Sequence, residues 1–189
     1  MMNSIEIYTT KLFSENILDI EYNNILIKKT YDLMKLNGEN DIASVRLGWQ
    51  SDYDIYNNKE FHPLCDYILT KLSSNLLLGK TIKPYISSMW LNVHEQYGFN
   101  HVHIHPGAWY SGVYYLNCTN KTGNISFTDP RPGAENNFYH TSIDCNTTYT
   151  IKPITGDLIL FPSWLPHFVE PNLDVENRVS VAFNVALDI

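Results

Sequence analysis

The sequence is poor in charged residues and has no basic excess. Asp, Glu, Lys and Arg make up 17% of the 189 residues, and 20 acidic residues against 13 basic ones give a formal net charge of −7. A protein that follows a nucleic-acid backbone needs clustered Lys and Arg. The composition therefore argues against nucleic acid as a partner and favours a small molecule, a peptide or a protein side chain.

Cysteines and long apolar runs are also scarce. Cys65, Cys118 and Cys145 are odd in number, widely spaced and form no Cys-x-x-Cys motif, so we predict that they are ordinary reduced residues. No apolar run is as long as a membrane span, and residues 1–10 lack the basic region and apolar core of a signal peptide. We expect a cytoplasmic protein, without a membrane span, that is compatible with a homodimer.

Apolar and aromatic side chains are abundant, at 44% and 13% of the chain, enough for the core of one domain over residues 1–189. The first part, residues 1–80, is predicted to be a helical flank with a first strand over Ile5–Tyr8. Helical spacing of apolar residues predicts one helix over residues 17–36 and a second from His62 to Gly79. The segment 39–60 is too irregular to assign.

From residue 81 onward the sequence becomes typical of an all-β core. Short runs rich in Ile, Val, Tyr, Trp and Phe alternate with clusters of Gly, Pro, Asn and Asp, which favours a β-sandwich or jelly roll. The predicted strands are 83–94, 101–105, 108–117, 124–128, 148–152, 157–162, 167–169 and 178–187. We therefore predict a mainly β fold, an eight-stranded double-sheet core (a double-stranded β-helix, or cupin-like jelly roll) behind N-terminal helices.

Three of the seven histidines alternate with apolar residues in the stretch 100–107. Side chains in an extended segment point to alternate faces, so His101, His103 and His105 would share one face. Imidazole is the commonest metal ligand and suits iron, zinc, copper and nickel. A half-solvated polar strand face is the alternative, but the pattern favours a metal site.

Two further signals follow in the chain. His167 ends a turn, strand and loop at residues 156–167, from which it could reach across a small barrel to the first histidines; a hydrogen-bonded loop histidine is the alternative. Arg178 and Ser180 share one face of an otherwise apolar strand, where guanidinium and hydroxyl can bind a carboxylate. A surface ion pair of Arg178 is the competing interpretation.

The order His-x-His, distal His and Arg-x-Ser resembles that of the iron(II)- and 2-oxoglutarate-dependent dioxygenases. More narrowly, the chain resembles a bacterial and viral family of 2-oxoglutarate oxygenases over residues 48–180. The matching motifs are Gly48-Trp49-Gln50-Ser51, Trp90-Leu91-Asn92, His103-Ile104-His105-Pro106-Gly107, Ser111-Gly112-Val113-Tyr114-Tyr115, Asp129-Pro130-Arg131, Phe161-Pro162-Ser163-Trp164 and Asn177-Arg178-Val179-Ser180.

The resemblance implies a site and a reaction. Iron(II) would be held by His103, His105 and His167, and Arg178 and Ser180 would bind the far carboxylate of the co-substrate 2-oxoglutarate. Dioxygen would be consumed, and an unknown substrate would be hydroxylated with release of succinate and carbon dioxide.

The resemblance also implies two further co-substrate contacts. Asn92 is placed like an Asn that contacts 2-oxoglutarate in the nucleic-acid demethylase branch, and this register favours His103 and His105 over His101. Tyr115 lies in a Tyr-Tyr-Leu-Asn run similar to one in protein prolyl hydroxylases and could donate its hydroxyl to the same carboxylate. Strand packing is the alternative role of Asn92 and Tyr115.

One position departs from the family pattern. The second ligand of that superfamily is normally a carboxylate, and here the matching residue is His105, so the site would lack the anion that offsets the charge of iron. Asp129 could supply a carboxylate, but we expect it to be a wall residue or a partner of Arg131. His101 would then lie behind the ligands, face the substrate or lie on the surface. Trp90, Trp109, Trp164 and Phe168 are the predicted pocket walls.

Two other functions fit part of the pattern. A cupin-type dioxygenase binds iron with three histidines and needs no 2-oxoglutarate, but the Glu of the cupin motif is missing after His105, and Arg178 and Ser180 would have no role. A non-catalytic jelly-roll protein that keeps a metal for stability is the third interpretation.

Overall fold

The computed structural model describes residues 7–38, 45–76, 78, 81–131 and 147–188. Within these ranges two helices and two short 3₁₀ turns accompany nine strands. In chain order the elements are β1 (Phe13–Asn16), α1 (Ile20–Asn37), β2 (Val45–Gln50), the 3₁₀ turns Ile55–Asn57 and Lys59–Phe61, α2 (His62–Asn75), β3 (Lys83–His103), β4 (Tyr110–Asn117), β5 (Ile125–Thr128), β6 (Thr148–Ile151), β7 (Asp157–Pro162), β8 (His167–Val169) and β9 (Arg178–Asp188).

Local sequence signals account for the ends of both helices. The Asp19 side chain accepts a hydrogen bond from the backbone N–H of Tyr22 and caps α1, and Gly38 with φ of +66° ends it. Pro63 stands in the first turn of α2, where its missing N–H costs no hydrogen bond. The prediction of α1 is confirmed; α2 ends at Asn75, before Gly79, which lies outside the described residues.

The strands form one curled antiparallel sheet with the order β1-β7-β4-β9-β3-β8-β5-β6, and β2 pairs with β3 as well. The 21-residue strand β3 joins the two halves of this sheet. Its first part pairs with β9 from Lys83 to His94, and its end pairs with β8 through Asn100 and His103. The mainly β fold is confirmed.

Strand alternation separates an apolar face from a polar one. On β9, Val179, Val181 and Phe183 pack toward the helices, where Leu26, Leu64, Ile68 and Leu72 complete the larger core cluster. The intervening residues of β9 point to the inside of the curl. A smaller cluster of β4, β5 and β7 residues fills the rest of that inner side. The inner face is thus where polar side chains gather.

Two strand predictions were wrong. Ile7 and Tyr8 are 68% and 85% exposed and belong to no strand, because no core faces them; Ile5 and Glu6 lie outside the described residues. The first strand is instead Phe13–Asn16, which pairs with β7. The predicted strands 83–94 and 101–105 are one strand that ends at His103, since β2 pairs with β3 on both sides of a register shift, at residues 92–94 and at 99–100.

The strand β2 itself was not assigned from the sequence. From residue 81 onward the described residues hold seven strands, β3 to β9, where eight were predicted. Among these residues no helix has the length and the apolarity needed to span a membrane.

Candidate active site

A cavity of about 300 Å³ lies on the inner face of the sheet, and it collects the seven residues that the sequence singled out as metal ligands or co-substrate contacts. Its lining includes Asn92, His103, His105, Tyr115, His167, Arg178 and Ser180. Four neighbouring strands, β4, β9, β3 and β8, supply all of them except His105, which follows β3 directly. Residues that are up to 88 positions apart in the sequence therefore share one small volume.

Three imidazoles converge in this cavity. One ring nitrogen from each of His103, His105 and His167 lies within 4.8 Å of the other two, and the Nε2 atoms of His105 and His167 are 3.2 Å apart. The cause is strand pairing, because His103 at the end of β3 is the direct partner of His167 at the start of β8. In the described part of the chain no other group of Cys, His, Asp and Glu side chains is arranged for a metal ion.

Backbone carbonyl groups orient two of the three rings. Nδ1 of His103 lies 2.7 Å from the carbonyl oxygen of His101, and Nδ1 of His167 lies 2.9 Å from that of Leu165. A carbonyl oxygen only accepts, so each Nδ1 carries the hydrogen and each Nε2 keeps a free lone pair. Histidines that bind metals are commonly oriented in this way.

Burial keeps these rings neutral. Burial, with a smaller effect of the nearby His103 ring, lowers the pKa of His105 to about 4 and that of His167 to about 3; burial also lowers the pKa of His103. Neutral imidazole is the form that binds a metal ion. The donor set fits iron(II), since a borderline divalent cation is well served by imidazole nitrogens.

His101 and Asp129 do not take part in the cluster. His101 is exposed and its ring packs edge-on against Phe99, so only its carbonyl oxygen touches the site. Asp129 accepts hydrogen bonds from the Arg131 guanidinium and lines a different surface groove. Among the described residues, the group that could hold a metal ion therefore consists of three histidines and contains no carboxylate.

Arg178 is the one charged residue among the cavity's lining residues. The side chain is 2% exposed, Nη1 donates to the carbonyl oxygen of Gly123 at 3.3 Å, and Nη2 donates to Nδ1 of His94 at 3.1 Å. Its Nε has no partner, and no acidic side chain of the described residues lies within ion-pair distance. An unpaired buried cation is costly, so this arrangement fits a bound carboxylate.

Three polar side chains form a row beside Arg178 across three strands. Asn92 of β3 and Tyr115 of β4 are both direct pairing partners of Ser180 on β9, between them. Asn92 is buried, and its Oδ1 has no hydrogen-bond partner. Burial raises the pKa of the Tyr115 hydroxyl, which therefore stays protonated and can donate. The row offers donors and acceptors to a polar ligand next to the guanidinium.

The cavity also contains residues that the sequence did not reveal. His94 and Asn100 line it beside Arg178, and Gln50 and Tyr53 line it elsewhere. His94 could have been found from the alternation of side chains along a strand, since it lies two residues after Asn92 and therefore on the same face of β3. Of the four predicted wall residues Trp90, Trp109, Trp164 and Phe168, only Trp90 lines the cavity, with its ring 5.7 Å from that of His105.

Comparison with protein families gives one match. The family model described as "Putative 2OG-Fe(II) oxygenase" matches residues 88–184, slightly more than half of the chain and the part that holds every site residue predicted above. The resemblance seen in the sequence is thereby confirmed. Among proteins of curated function, none shows significant sequence similarity to the chain.

Solved structures share the fold. A prolyl-4-hydroxylase from Pseudomonas putida superposes with a TM-score of 0.66 at 16% identity, over 93% of both chains. HygX from Streptomyces hygroscopicus with nickel, 2-oxoglutarate and hygromycin B gives 0.67 at 12% identity, over 94% of this chain and 83% of that one.

A third structure extends the comparison. A prolyl hydroxylase from Trichoplax adhaerens in complex with a hypoxia inducible factor peptide fragment gives a TM-score of 0.58 at 15% identity, over 92% of this chain and 83% of that one. At identities this low the superpositions show a shared fold alone, and that shared fold supports the predicted jelly roll.

Proposed function

Because the chain belongs to the 2OG-Fe(II) oxygenase family, which works with iron(II) and 2-oxoglutarate, we propose that it hydroxylates a substrate and releases succinate and carbon dioxide. The observation that carries this proposal is the pairing, in one cavity, of three converging neutral imidazoles with a buried guanidinium that has no acidic partner among the described residues. A metal site alone would not require the guanidinium.

His103, His105 and His167 would hold the iron(II) ion. When bound, the ion together with 2-oxoglutarate and dioxygen supplies the oxidising chemistry that inserts oxygen into a C–H bond. The protein's own contribution is to keep the three rings neutral by burial and to orient two of them through the carbonyl groups of His101 and Leu165.

Arg178 and the polar row would hold the co-substrate. The guanidinium binds the far carboxylate, with Ser180 as a further donor, and the Tyr115 hydroxyl and the Asn92 amide donate beside it. This arrangement uses the charge that would otherwise be buried without compensation.

A second candidate is a three-histidine metal dioxygenase that works without 2-oxoglutarate. The presence of His105 where the superfamily has an acid favours it, because three neutral ligands leave the full charge of the metal to other ligands. It leaves Arg178 without a role, and we therefore rank it second.

The substrate belongs to the small molecules, peptides or protein side chains. Of two proteins with the same fold, one is seen with hygromycin B and the other with a peptide fragment. The fold thus admits both kinds of ligand, and the choice depends on residues around Trp90 and Tyr53, which line the cavity near His105.

Anaerobic addition of Fe(II) and 2-oxoglutarate tests the proposal. We expect a visible charge-transfer band that disappears in Arg178→Ala and persists in Arg131→Ala, whose guanidinium pairs with Asp129 on the surface. In air, succinate should form slowly even without substrate. Metal binding without any response to 2-oxoglutarate would instead favour the second candidate.

A further inference from the structure

His94 and Arg178 are direct pairing partners on β3 and β9, and both side chains point into the cavity. His94 is fully buried, at 0% exposure, and its Nδ1 accepts a hydrogen bond from Nη2 of Arg178 at 3.1 Å. A histidine is an unusual buried partner for a guanidinium, since the common partner is a carboxylate.

Asn100 determines which nitrogen of His94 can accept. Nε2 of His94 lies 2.7 Å from Oδ1 of Asn100, and an amide oxygen only accepts, so Nε2 carries the hydrogen and Nδ1 offers its lone pair to Arg178. Burial lowers the pKa of His94 well below its usual value, and the charge of Arg178 lowers it further. Asn100 is fixed in turn by strand pairing with Val45 and Val169.

The consequence concerns the charge of Arg178. A carboxylate in place of His94 would neutralise the guanidinium, whereas a neutral acceptor orients it and leaves its charge available. The Gly123 carbonyl oxygen, the other partner, is neutral too. Of the five N–H groups of a guanidinium, these contacts use one on each Nη, so Nε–H and one N–H on each Nη remain for a ligand.

We propose that His94 is a positioning residue which, fixed as a neutral acceptor by Asn100, aims the Arg178 guanidinium at the distal carboxylate of 2-oxoglutarate. The proposal rests on the proposed function and deepens it. It names His94 and Arg178 as the pair that makes the site prefer a 2-oxo acid with two carboxylates over one with a single carboxylate.

Two substitutions separate the two contacts of His94. In His94→Asn the amide oxygen takes the place of Nδ1 and can still accept from Arg178, while the contact with Asn100 is lost. In His94→Gln the amide nitrogen takes the place of Nε2 and can still donate to Asn100, while the acceptor for Arg178 is lost. If His94 had a purely structural role, His94→Asn and His94→Gln would not differ in their effect on binding of the far carboxylate.

The experiment measures binding without turnover. The Mn(II)-loaded protein is titrated by calorimetry with 2-oxoglutarate and with 2-oxopentanoate, which carries a methyl group where 2-oxoglutarate has its far carboxylate. The quantity of interest is the ratio of the two dissociation constants. We expect a preference for 2-oxoglutarate that His94→Asn keeps within about threefold and that His94→Gln reduces about tenfold or more, as for loss of a hydrogen bond to a charged group.

An unchanged ratio in His94→Gln, or an equal fall in both variants, would overturn the proposal. Arg178→Ala is the reference, because it must abolish the preference; if it does not, the proposed function fails at this site independently of His94. Mn(II) affinity and melting temperature confirm that each variant folds.

Should His94→Gln not fold, Asn100→Ala replaces it. The ring of His94, freed from Asn100, can turn its hydrogen toward Arg178, so the ratio of the two dissociation constants should fall. An unchanged ratio overturns the proposal.

Discussion

Nε2 of His105 lies 3.2 Å from Nε2 of His167, although the two residues are 62 positions apart in the chain. Two imidazole nitrogens that bind one ion at roughly 2.1 Å and at right angles lie about 3 Å apart. The folded chain thus places these nitrogens close to the separation that a shared metal requires. His103 at the end of β3 pairs with His167, and the backbone N–H of His105 donates to the carbonyl oxygen of Ser163, so the backbone holds both nitrogens near this point.

Loss of the His167 side chain should weaken metal binding strongly, and loss of the His101 side chain should leave it unchanged. In His167→Ala we expect Fe(II) affinity to fall about a hundredfold or more, because one of three ligands is removed. His101→Ala is the matched control, since its ring is exposed and only its backbone oxygen contacts His103. Anaerobic Fe(II) titration measures both; equal affinities in the two variants would contradict the assignment of ligands.

His105 can be tested as the replacement for an acid. We expect His105→Ala to lower Fe(II) affinity about a hundredfold and His105→Asp to stay within about tenfold of the wild type, because a carboxylate is also an iron ligand. The added negative charge should weaken binding of the 2-oxoglutarate dianion to His105→Asp. Titrations with metal and then with 2-oxoglutarate measure both effects, and an unaltered metal affinity in His105→Ala would remove His105 from the ligand set.

Strand periodicity explains why much of this cavity could be predicted. On β9, alternation alone separates Arg178 and Ser180 from the apolar residues that pack on the helices. Asn92 was singled out from the resemblance, and alternation along β3 is consistent with its place in the cavity. These are local properties of a strand, so the sequence contains them.

The remaining features depend on which strands are neighbours. That His94 faces Arg178, and that Gly123 supplies a carbonyl oxygen to the same guanidinium, follows from the pairing of β3 with β9 and from a distant loop. The strand β2 was missed because it is short and lies in an irregular segment. Its sequence, Val-Arg-Leu-Gly-Trp-Gln, alternates, but its buried and exposed positions do not follow that alternation, since a register shift against β3 leaves Leu47 exposed and Gln50 buried.

Arg178 should reduce the stability of the ligand-free protein. We expect Arg178→Met to be about 1–3 kcal/mol more stable than the wild type without 2-oxoglutarate, because an uncompensated buried cation is replaced by an apolar side chain of similar length. The variant should also lose any stabilisation by 2-oxoglutarate. Arg131→Met is the control on the surface, where loss of an exposed pair changes stability by less than about 1 kcal/mol.

Chemical denaturation at pH 7 measures both free energies of unfolding. A Met variant less stable than the wild type would show that the contacts with His94 and Gly123 outweigh the cost of burying the charge.

Acid should destabilise the metal-free protein at a pH where carboxyl groups are still ionised. The folded-state pKa values of His105 and His167, about 4 and about 3, lie below the usual value of about 6.5 that applies in the unfolded chain. Between these values the unfolded state binds more protons, so the free energy of unfolding falls as the pH drops below about 6.5. Well below that pH the slope approaches about 1.4 kcal/mol per pH unit for each ring.

Denaturant titrations of the metal-free protein at pH 7.5, 6.5, 5.5 and 5.0 measure this slope. Aspartate and glutamate titrate mainly near pH 4, below the window, and stability should be nearly constant above pH 6.5 because both states then hold the rings neutral. Burial lowers the pKa of His94 and His103 as well, so His105→Asn removes one of four contributing rings and should flatten the dependence by the share of one ring. A wild-type stability that stays constant from pH 7.5 to 5.0 would mean that the buried rings take up protons as readily as exposed ones.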